Sequence, residues 1–183
     1  MNIREARLED AVAIAKVHVD SWQSTYNNLL PKAYIAQRSY QKRLDNWKGR
    51  LDVNQKAKTN YFVYVAENAV GEVVGFVDGG SARGDSTCDG EIYALYVLEA
   101  NQRKGIGTSL VQAIASRLVQ SGLTSIIVWV LEDNPAIEFY QALSGQRIDQ
   151  KQIKINGDEV TEIAYGWNDI AILTGRSSDL FES

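Results

Sequence analysis

The pattern of apolar and polar residues predicts a sheet whose strands are interspersed with amphipathic helices. Short runs rich in β-branched and aromatic residues predict strands, and apolar residues three or four positions apart predict helices. The strands expected from this pattern are 2–6, 61–67, 72–82, 91–98, 125–131, 146–155 and 159–167. The first helix is expected to run from an N-cap at Asp10 to between Trp22 and Tyr26. Further helices are expected over 32–37, 40–51, 106–118 and 135–143, with a polar loop over 54–60.

Two stretches indicate how neighbouring strands pair. The run Ser125–Leu131 (SIIVWVL) is apolar throughout, which is typical of a strand covered on both faces. A helix separates it from the strand at 91–98, so the two strands are expected to be parallel. Near the end of the chain, Asn156-Gly157 is a strong turn signal and predicts a closing antiparallel hairpin. Within the third strand, Gly79-Gly80 predicts a bulge or a close approach by a ligand.

The loop that precedes the helix at 106–118 has the composition of an anion site. Its sequence is QRKGIGT, residues 102–108, and its glycines let the backbone turn tightly and leave no Cβ to obstruct a ligand. The first N–H groups of a helix lack intrahelical partners and carry partial positive charge, which favours phosphate. Arg103 and Lys104 add two cations. We therefore predict a pyrophosphate site.

Two other phosphate-binding motifs do not fit this loop. A dinucleotide-binding fingerprint needs a third glycine where Leu110 stands. A P-loop needs Gly-Lys-Ser/Thr after a longer spacer, which this sequence lacks.

Composition narrows the class of protein. Of 183 residues, 45% are apolar and 23% charged, which is ordinary for one globular domain. The net charge of −4 gives no expectation of nucleic-acid or membrane binding. The single Cys88 fits a reducing compartment. No apolar run approaches the ~20 residues that span a bilayer, and charges interrupt any signal-peptide pattern. We expect a cytoplasmic protein.

With its flanks, the glycine loop resembles the Gln/Arg-x-x-Gly-x-Gly loop of the GNAT superfamily of N-acetyltransferases. Gly90–Val97 (GEIYALYV) runs directly into the loop, as the family's fourth strand does. Asn134–Tyr140 (NPAIEFY) is similar to a later helix of the family, in which Asn and a Phe-Tyr pair recur. Val74–Val77 fits the third strand. The N-terminal segments 17–22, 25–26 and 29–31 look like one bacterial subgroup.

The resemblance covers most of residues 2–168, with the motifs in the family's order. One departure is Ser144-Gly145-Gln146, which replaces the commoner Gly-Phe after the later helix; that position is structural in the family. The resemblance implies an α/β (α+β) fold with a single domain over 1–183, including a C-terminal tail at about 169–183. Its centre would be a mixed, twisted sheet of about six to seven strands, flanked by helices on both faces.

The resemblance also implies acetyl-CoA as cosubstrate and no metal. In the family, two parallel strands splay apart after the glycine loop, and the pantetheine arm pairs with the exposed strand edge. The loop holds the pyrophosphate. The residues that would bind acetyl-CoA in this chain are Leu95, Tyr96, Val97, Gln102, Arg103, Lys104, Gly105, Ile106, Gly107, Thr108, Asn134 and Tyr140.

Acetyl transfer from a thioester to an amine needs a base for the amine and an acid for the leaving thiolate. Tyr140 is the predicted acid, because the tyrosine of the family's Phe-Tyr pair sits near the sulfur; a core tyrosine is the alternative. Glu91 is the predicted base, acting directly or through water, with an ordinary strand-end glutamate as the alternative. In an uninterrupted strand Glu91, Tyr93, Leu95 and Val97 would share one face, which a bulge would change.

Other residues with reactive or aromatic side chains have weaker claims. Trp22 and Tyr26 are candidates for the acceptor pocket, although aromatic residues on helices mostly pack in cores. His18, the only histidine, lies on an amphipathic helix and is expected to be a packed or surface residue rather than a catalytic one. With one histidine and one cysteine, a metal site or a Cys–His nucleophile has little support.

The leading hypothesis is an N-acetyltransferase that moves an acetyl group from acetyl-CoA to a primary amine by direct attack, through a tetrahedral intermediate. The alternative is a non-catalytic acyl-CoA-binding sensor of the same fold. The sequence leaves open whether the acceptor is a small-molecule amine or an amine of a peptide or protein. Acyl length and homodimer formation are also left open.

Overall fold

The computed structural model describes residues 1–27, 29, 39–56, 60–155 and 157–175, with side chains for all of these except 53–56. The strands are β1 Asn2–Glu5, β2 Tyr61–Glu67, β3 Val73–Ser81, β4 Gly90–Val97, β5 Ile126–Leu131, β6 Gln146–Ile155 and β7 Asp158–Trp167. The α-helices are α1 Ala11–Tyr26, α2 Tyr40–Lys56, α3 Ile106–Gln120 and α4 Ala136–Ala142. Short 3₁₀ helices cover Leu8–Asp10, Glu99–Asn101 and Ile170–Thr174.

The strands form one mixed sheet in the order β1-β2-β3-β4-β5-β7-β6. Every neighbouring pair is antiparallel except β4 and β5, which are parallel and joined by the crossover helix α3. The closing hairpin pairs β6 with β7. The predictions of a mixed sheet with this parallel pair and this hairpin are confirmed.

Helices cover both faces of the sheet, and each face has its own core. On one face α3 packs through Leu110 and Ile114 against residues that include Ile92 of β4. On the other face α1 and α2 pack against β2 and β3, with Trp47 of α2 against Phe76 of β3. Each of these side chains is at most 2% exposed, and burial of one large apolar side chain is worth about 1.5–3 kcal/mol.

Three expectations about helix and chain ends need correction. Helix α2 continues to Lys56, so residues 54–56 are helical rather than loop; no glycine or proline interrupts the sequence there. Asp10 does not cap α1 through its side chain, because its carboxylate accepts hydrogen bonds from the Arg7 N–H and the Arg4 guanidinium instead. The expected C-terminal tail begins with an ordered 3₁₀ helix whose Ile170 and Leu173 are buried in the α3 core.

Some expectations lie outside the described residues. They are the helix at 32–37, residues 57–59 of the polar loop, Asn156 of the hairpin turn, and the tail from 176 onwards.

The glycine pair in β3 faces a bulge in β4, as one of the two interpretations predicted. The pairing passes from Asp78 with Ala94 to Gly79 with Ile92, so Tyr93 is an extra residue on β4. A Cβ at Gly79 would lie 2.6 Å from the carbonyl oxygen of Glu91. The glycine is therefore required by the protein's own backbone. Because of the extra residue, Ile92 packs in the α3 core whereas Ala94 packs in the α1/α2 core.

Candidate active site

A gap opens in the sheet where β4 and β5 separate. The two strands pair only over Gly90–Ile92 and Ile126–Val128, and the next β4 residue is the bulged Tyr93. Among the described residues, 94–97 pair with β3 alone, so their other edge faces the gap. An exposed strand edge can accept an extended, amide-containing ligand as an added strand. The edge contains Leu95, Tyr96 and Val97, which the sequence assigned to acetyl-CoA.

The glycine loop lies at the far end of this edge and leads into α3. Gly105 is the N-cap in a left-handed conformation with φ 76°, and its carbonyl accepts the first intrahelical hydrogen bond, from Ser109 N–H at 3.0 Å. The N–H groups of residues 106–108 therefore occupy the first turn, where an α-helix offers no acceptor. A Cβ at Gly105 would meet nothing within 4 Å. Chain conformation and open space together fit an anion such as pyrophosphate.

The polar side chains of the glycine loop lie at the surface, and two of them donate hydrogen bonds to nearby carbonyl groups. Arg103 and Lys104 are exposed, and Arg103 has a left-handed φ of 59°, a conformation that costs a non-glycine residue roughly 1–2 kcal/mol. Lys104 Nζ donates to the carbonyl of Ala100 at 2.8 Å, and Gln102 Nε2 donates to the carbonyl of Val97 at 3.0 Å. Gln102 thus ties the loop to the last residue of β4, and Lys104 ties it to the 3₁₀ helix that follows β4. The side chain of Ile106 is buried in the core, so this residue can serve a ligand only through its backbone.

An aromatic group lies beside the gap, on the side of α1. Trp22 and Tyr26 are in contact, with ring centroids 5.0 Å apart, and they pack with Tyr96 of β4 and Leu131 of β5. Asn134 Nδ2 donates to the Tyr26 hydroxyl at 3.3 Å. The structure therefore brings together Trp22, Tyr26, Tyr96 and Asn134, which the sequence had placed in two different sites.

Tyr140 lies in α4 and its side chain is buried. It is 6% exposed and packs against Phe139, Tyr165 and Trp167. Burial raises the pKa of Tyr140, and the nearby Tyr26 hydroxyl adds to the rise. The Tyr96 pKa is also raised, by burial first and then by Tyr26 and Tyr140. The three tyrosines are therefore close enough to interact, and Tyr96 and Tyr140 keep their protons at neutral pH because their pKa values are raised.

Glu91 is buried at the start of β4 and is paired with an arginine. It is 2% exposed. One of its carboxylate oxygens accepts from the Arg83 backbone N–H at 3.0 Å and from Arg83 Nε at 3.1 Å, and the other from Arg83 Nη2. The bulge at Tyr93 breaks the strand alternation, so Glu91 and Leu95 do not share a face as an uninterrupted strand would have required. The role of Glu91 as base stays a prediction.

A second buried carboxylate, which the sequence interpretation missed, lies on the neighbouring strand. Asp78 of β3 is 0% exposed and is cross-strand partner to Ala94, the first residue after the bulge. The available signal was one charged residue inside the apolar strand VVGFVDGGS. Burial raises the pKa of Asp78 to about 6, although Arg50 and the Tyr61 hydroxyl oppose the rise.

The histidine and the cysteine, the other potentially reactive side chains, are both packed in the protein interior. His18 is 7% exposed, accepts a hydrogen bond from Trp47 Nε1 at 3.2 Å, and stacks on Tyr96. Cys88 is buried in a small apolar cluster. Within the described ranges no group of three His, Cys, Asp or Glu residues is placed to hold a metal. No helix in the described part of the chain is long and apolar enough to cross a membrane.

Known proteins are similar to this chain in sequence and in fold. Residues 83–153 match the family model described as FR47-like protein. The chain is 41% identical over 174 residues to the uncharacterized N-acetyltransferase YuaI of Bacillus subtilis, with 94% of this chain and 96% of that protein covered.

Two solved structures have the same fold at lower identity. The PaiA N-acetyltransferase of Thermoplasma acidophilum, crystallised with coenzyme A, superposes with a TM-score of 0.71 at 20% identity, over 88% of this chain and 96% of its own. YncA of Salmonella typhimurium, solved with acetyl-CoA, gives 0.68 at 20% identity, over 91% and 92%. The identity to YuaI over nearly the whole chain shows the family, and the fold agrees with it: the chain belongs to the GNAT superfamily of acetyl-CoA-dependent N-acetyltransferases.

Proposed function

We propose that the protein transfers an acetyl group from acetyl-CoA to a primary amine. The observation that carries this proposal is the continuity of the unpaired β4 edge with the first turn of α3. Those two features offer amide hydrogen-bonding groups and an anion site in the order that pantetheine and pyrophosphate require. The solved neighbours with coenzyme A and acetyl-CoA support the same choice of cosubstrate.

The chemistry proceeds by direct attack of the neutral amine on the thioester carbon. The C–N bond forms, the carbonyl oxygen becomes an oxyanion, and the C–S bond then breaks. Tyr140 gives its proton to the departing sulfur and regains one from the nitrogen of the tetrahedral intermediate. Burial keeps the Tyr140 hydroxyl protonated beforehand, because it raises the pKa of this side chain. Trp22 and Tyr26, beside the gap, are proposed to contact the acceptor.

The test is release of free thiol from acetyl-CoA in the presence of a broad amine panel that includes polyamines, amino acids, aminoglycosides and peptides. Acceptor-dependent thiol release with a matching acetylated product is the expected result. Binding of acetyl-CoA without product from any amine would instead favour the sensor alternative.

A further inference from the structure

Asp78 combines complete burial with an incomplete set of hydrogen bonds. Its Oδ2 accepts from the Tyr61 hydroxyl at 2.9 Å and from Arg50 Nη1 at 3.1 Å. Its Oδ1 is buried and makes no hydrogen bond of ordinary geometry with the described residues, although the Ala94 N–H lies near enough to the carboxylate to favour its ionised form. Buried carboxylate oxygens are costly to leave unsatisfied, and native structures contain few of them. Among the described residues the side-chain atoms left in this way are Asp78 Oδ1 and Ser21 Oγ, and of these two only the carboxylate can act as a base.

Asp78 lies near the part of the gap between β4 and β5 where the thioester of bound acetyl-CoA is expected. If pyrophosphate binds beyond Val97, an extended pantetheine arm along β4 brings the thioester towards Ala94, since each strand residue advances the chain by about 3.3 Å. Ala94 is the cross-strand partner of Asp78. Phe76 also lies on the α1/α2 face, two residues before Asp78, and contacts Tyr96. Asp78 therefore shares with Tyr96 the face on which Trp22 and Tyr26 approach.

The carboxylate is close to solvent despite its burial. The side chain of Arg50, which binds Oδ2, is 50% exposed. Asp78 thus lies only one side chain below the surface, and an acceptor or a water molecule could reach it by displacing an arginine that is half in solvent.

Glu91 differs from Asp78 in how many of its carboxylate oxygens accept hydrogen bonds. Arg83 donates three hydrogen bonds to Glu91 and reaches both of its carboxylate oxygens. A base needs an available lone pair within reach of the proton that it takes. Of the two carboxylates, Asp78 is the one with an oxygen that no described residue engages in a hydrogen bond of ordinary geometry.

The charges around Asp78 allow it to titrate near neutrality. Arg50 of α2, Tyr61 of β2, Arg83 and the Ala94 N–H all favour its ionised form, against burial as the dominant effect. Tyr93 and, beyond it, the Glu91–Arg83 pair lie on the β4 side, and α1 places His18 against Phe76 on the same face. A carboxylate with a pKa of about 6 is mostly ionised at pH 7 and remains a useful base.

We propose that Asp78 Oδ1 accepts the proton of the acceptor's ammonium group through one bridging water, and that Glu91 instead holds Arg83 in place. The ammonium loses one proton to Asp78 and the resulting amine attacks the thioester. The second proton leaves the tetrahedral nitrogen as Tyr140 protonates the thiolate. Asp78 then returns its proton to solvent, so the net products are amide, free thiol and one proton. This inference rests on the proposed acetyl transfer.

The experiment compares Asp78→Asn with Glu91→Gln, which removes the other carboxylate with equally little change of shape. For wild type, kcat/KM with an accepted amine should fall as pH drops through about 6, because protonated Asp78 cannot act as a base. Asp78→Asn should lose this acid limb and about 10²-fold in kcat/KM at pH 7. Glu91→Gln should keep the acid limb at its wild-type position. Calorimetric titration with CoA should give unchanged affinity for both variants.

A third variant, Tyr61→Phe, separates chemistry from folding. It removes a hydrogen bond that favours ionised Asp78, so the acid limb should move to higher pH, which a purely structural carboxylate would not cause. The proposal is overturned if Asp78→Asn retains the wild-type limb, if the limb disappears in Glu91→Gln instead, or if it stays in place in Tyr61→Phe. The last result decides the matter should Asp78→Asn fail to fold. Absence of thiol release from wild type with every amine would refute the acetyl transfer itself, and this inference with it.

Discussion

Replacement of Gly105 by alanine tests the anion site at the start of α3. Gly105 has φ 76° and its missing Cβ would point into open space. In that backbone region an L-residue costs roughly 1–2 kcal/mol. For a chain of this size we expect a fall in Tm of about 2–8 °C, since 1 kcal/mol corresponds to about 2–4 °C.

The same replacement should also weaken CoA binding. The new methyl group occupies the open side of the loop, where a pyrophosphate would approach. If the loop relaxes to relieve strain, the N–H groups of the first turn also change direction. A loss of 1–2 kcal/mol of binding free energy corresponds to about a 5–30-fold weaker Kd, and a bulkier valine should abolish detectable CoA binding. Isothermal titration calorimetry with CoA measures the Kd of the alanine variant and the loss of binding in the valine variant.

Gly71 provides the matched control. It lies in the turn between β2 and β3, has φ 83°, and its Cβ would likewise meet nothing within 4 Å. Gly71→Ala should therefore lower Tm to a similar extent and leave the Kd for CoA unchanged. Equal CoA affinity in folded Gly105→Ala and Gly71→Ala would refute the assignment of this loop to pyrophosphate.

Two further predictions concern the acid and the fold. Tyr140→Phe should lower kcat about 10²-fold with little change in CoA affinity, and stopped-flow thiol release at wild-type kcat would show that the hydroxyl is not the acid. Arg4→Met should reduce the free energy of unfolding at pH 7 by about 1–3 kcal/mol, because it removes the cation paired with the buried Asp10 and with Glu67. Burial opposes the ionisation of Asp10, but Arg4 and the Arg7 N–H together lower its pKa; the deficit of the variant should therefore be full above about pH 4 and shrink as acid protonates Asp10. In urea titrations, Lys16→Met, which breaks the exposed pair with Asp20, should change stability little, and a deficit in Arg4→Met no larger than this would contradict the expectation.

Local sequence determined the elements of this protein and the order in which they occur. Period-two runs and apolar helix faces are properties of neighbouring residues, so seven strands and the crossover helix α3 could be located within a few residues. The glycine loop was identified in the same way, because a tight turn at a helix start needs particular residues at particular spacings. The parallel pairing of β4 and β5 followed from the helix between them.

Only the tertiary structure decided which side chains meet. The bulge at Tyr93 reverses the face of every later β4 residue, and it depends on the contact of Gly79 with the β4 backbone, which no local pattern specifies. The pairing of β3 with β4 also places Asp78 beside Ala94, just past the point where β4 separates from β5. Whether a carboxylate is free to accept a proton depends on its neighbours in space: Arg83 engages Glu91, whereas one oxygen of Asp78 accepts no hydrogen bond of ordinary geometry from the described residues. The solvation and pairing of a carboxylate depend on residues distant in sequence. The sequence therefore predicted that a base is needed, but not which carboxylate is the better candidate for it.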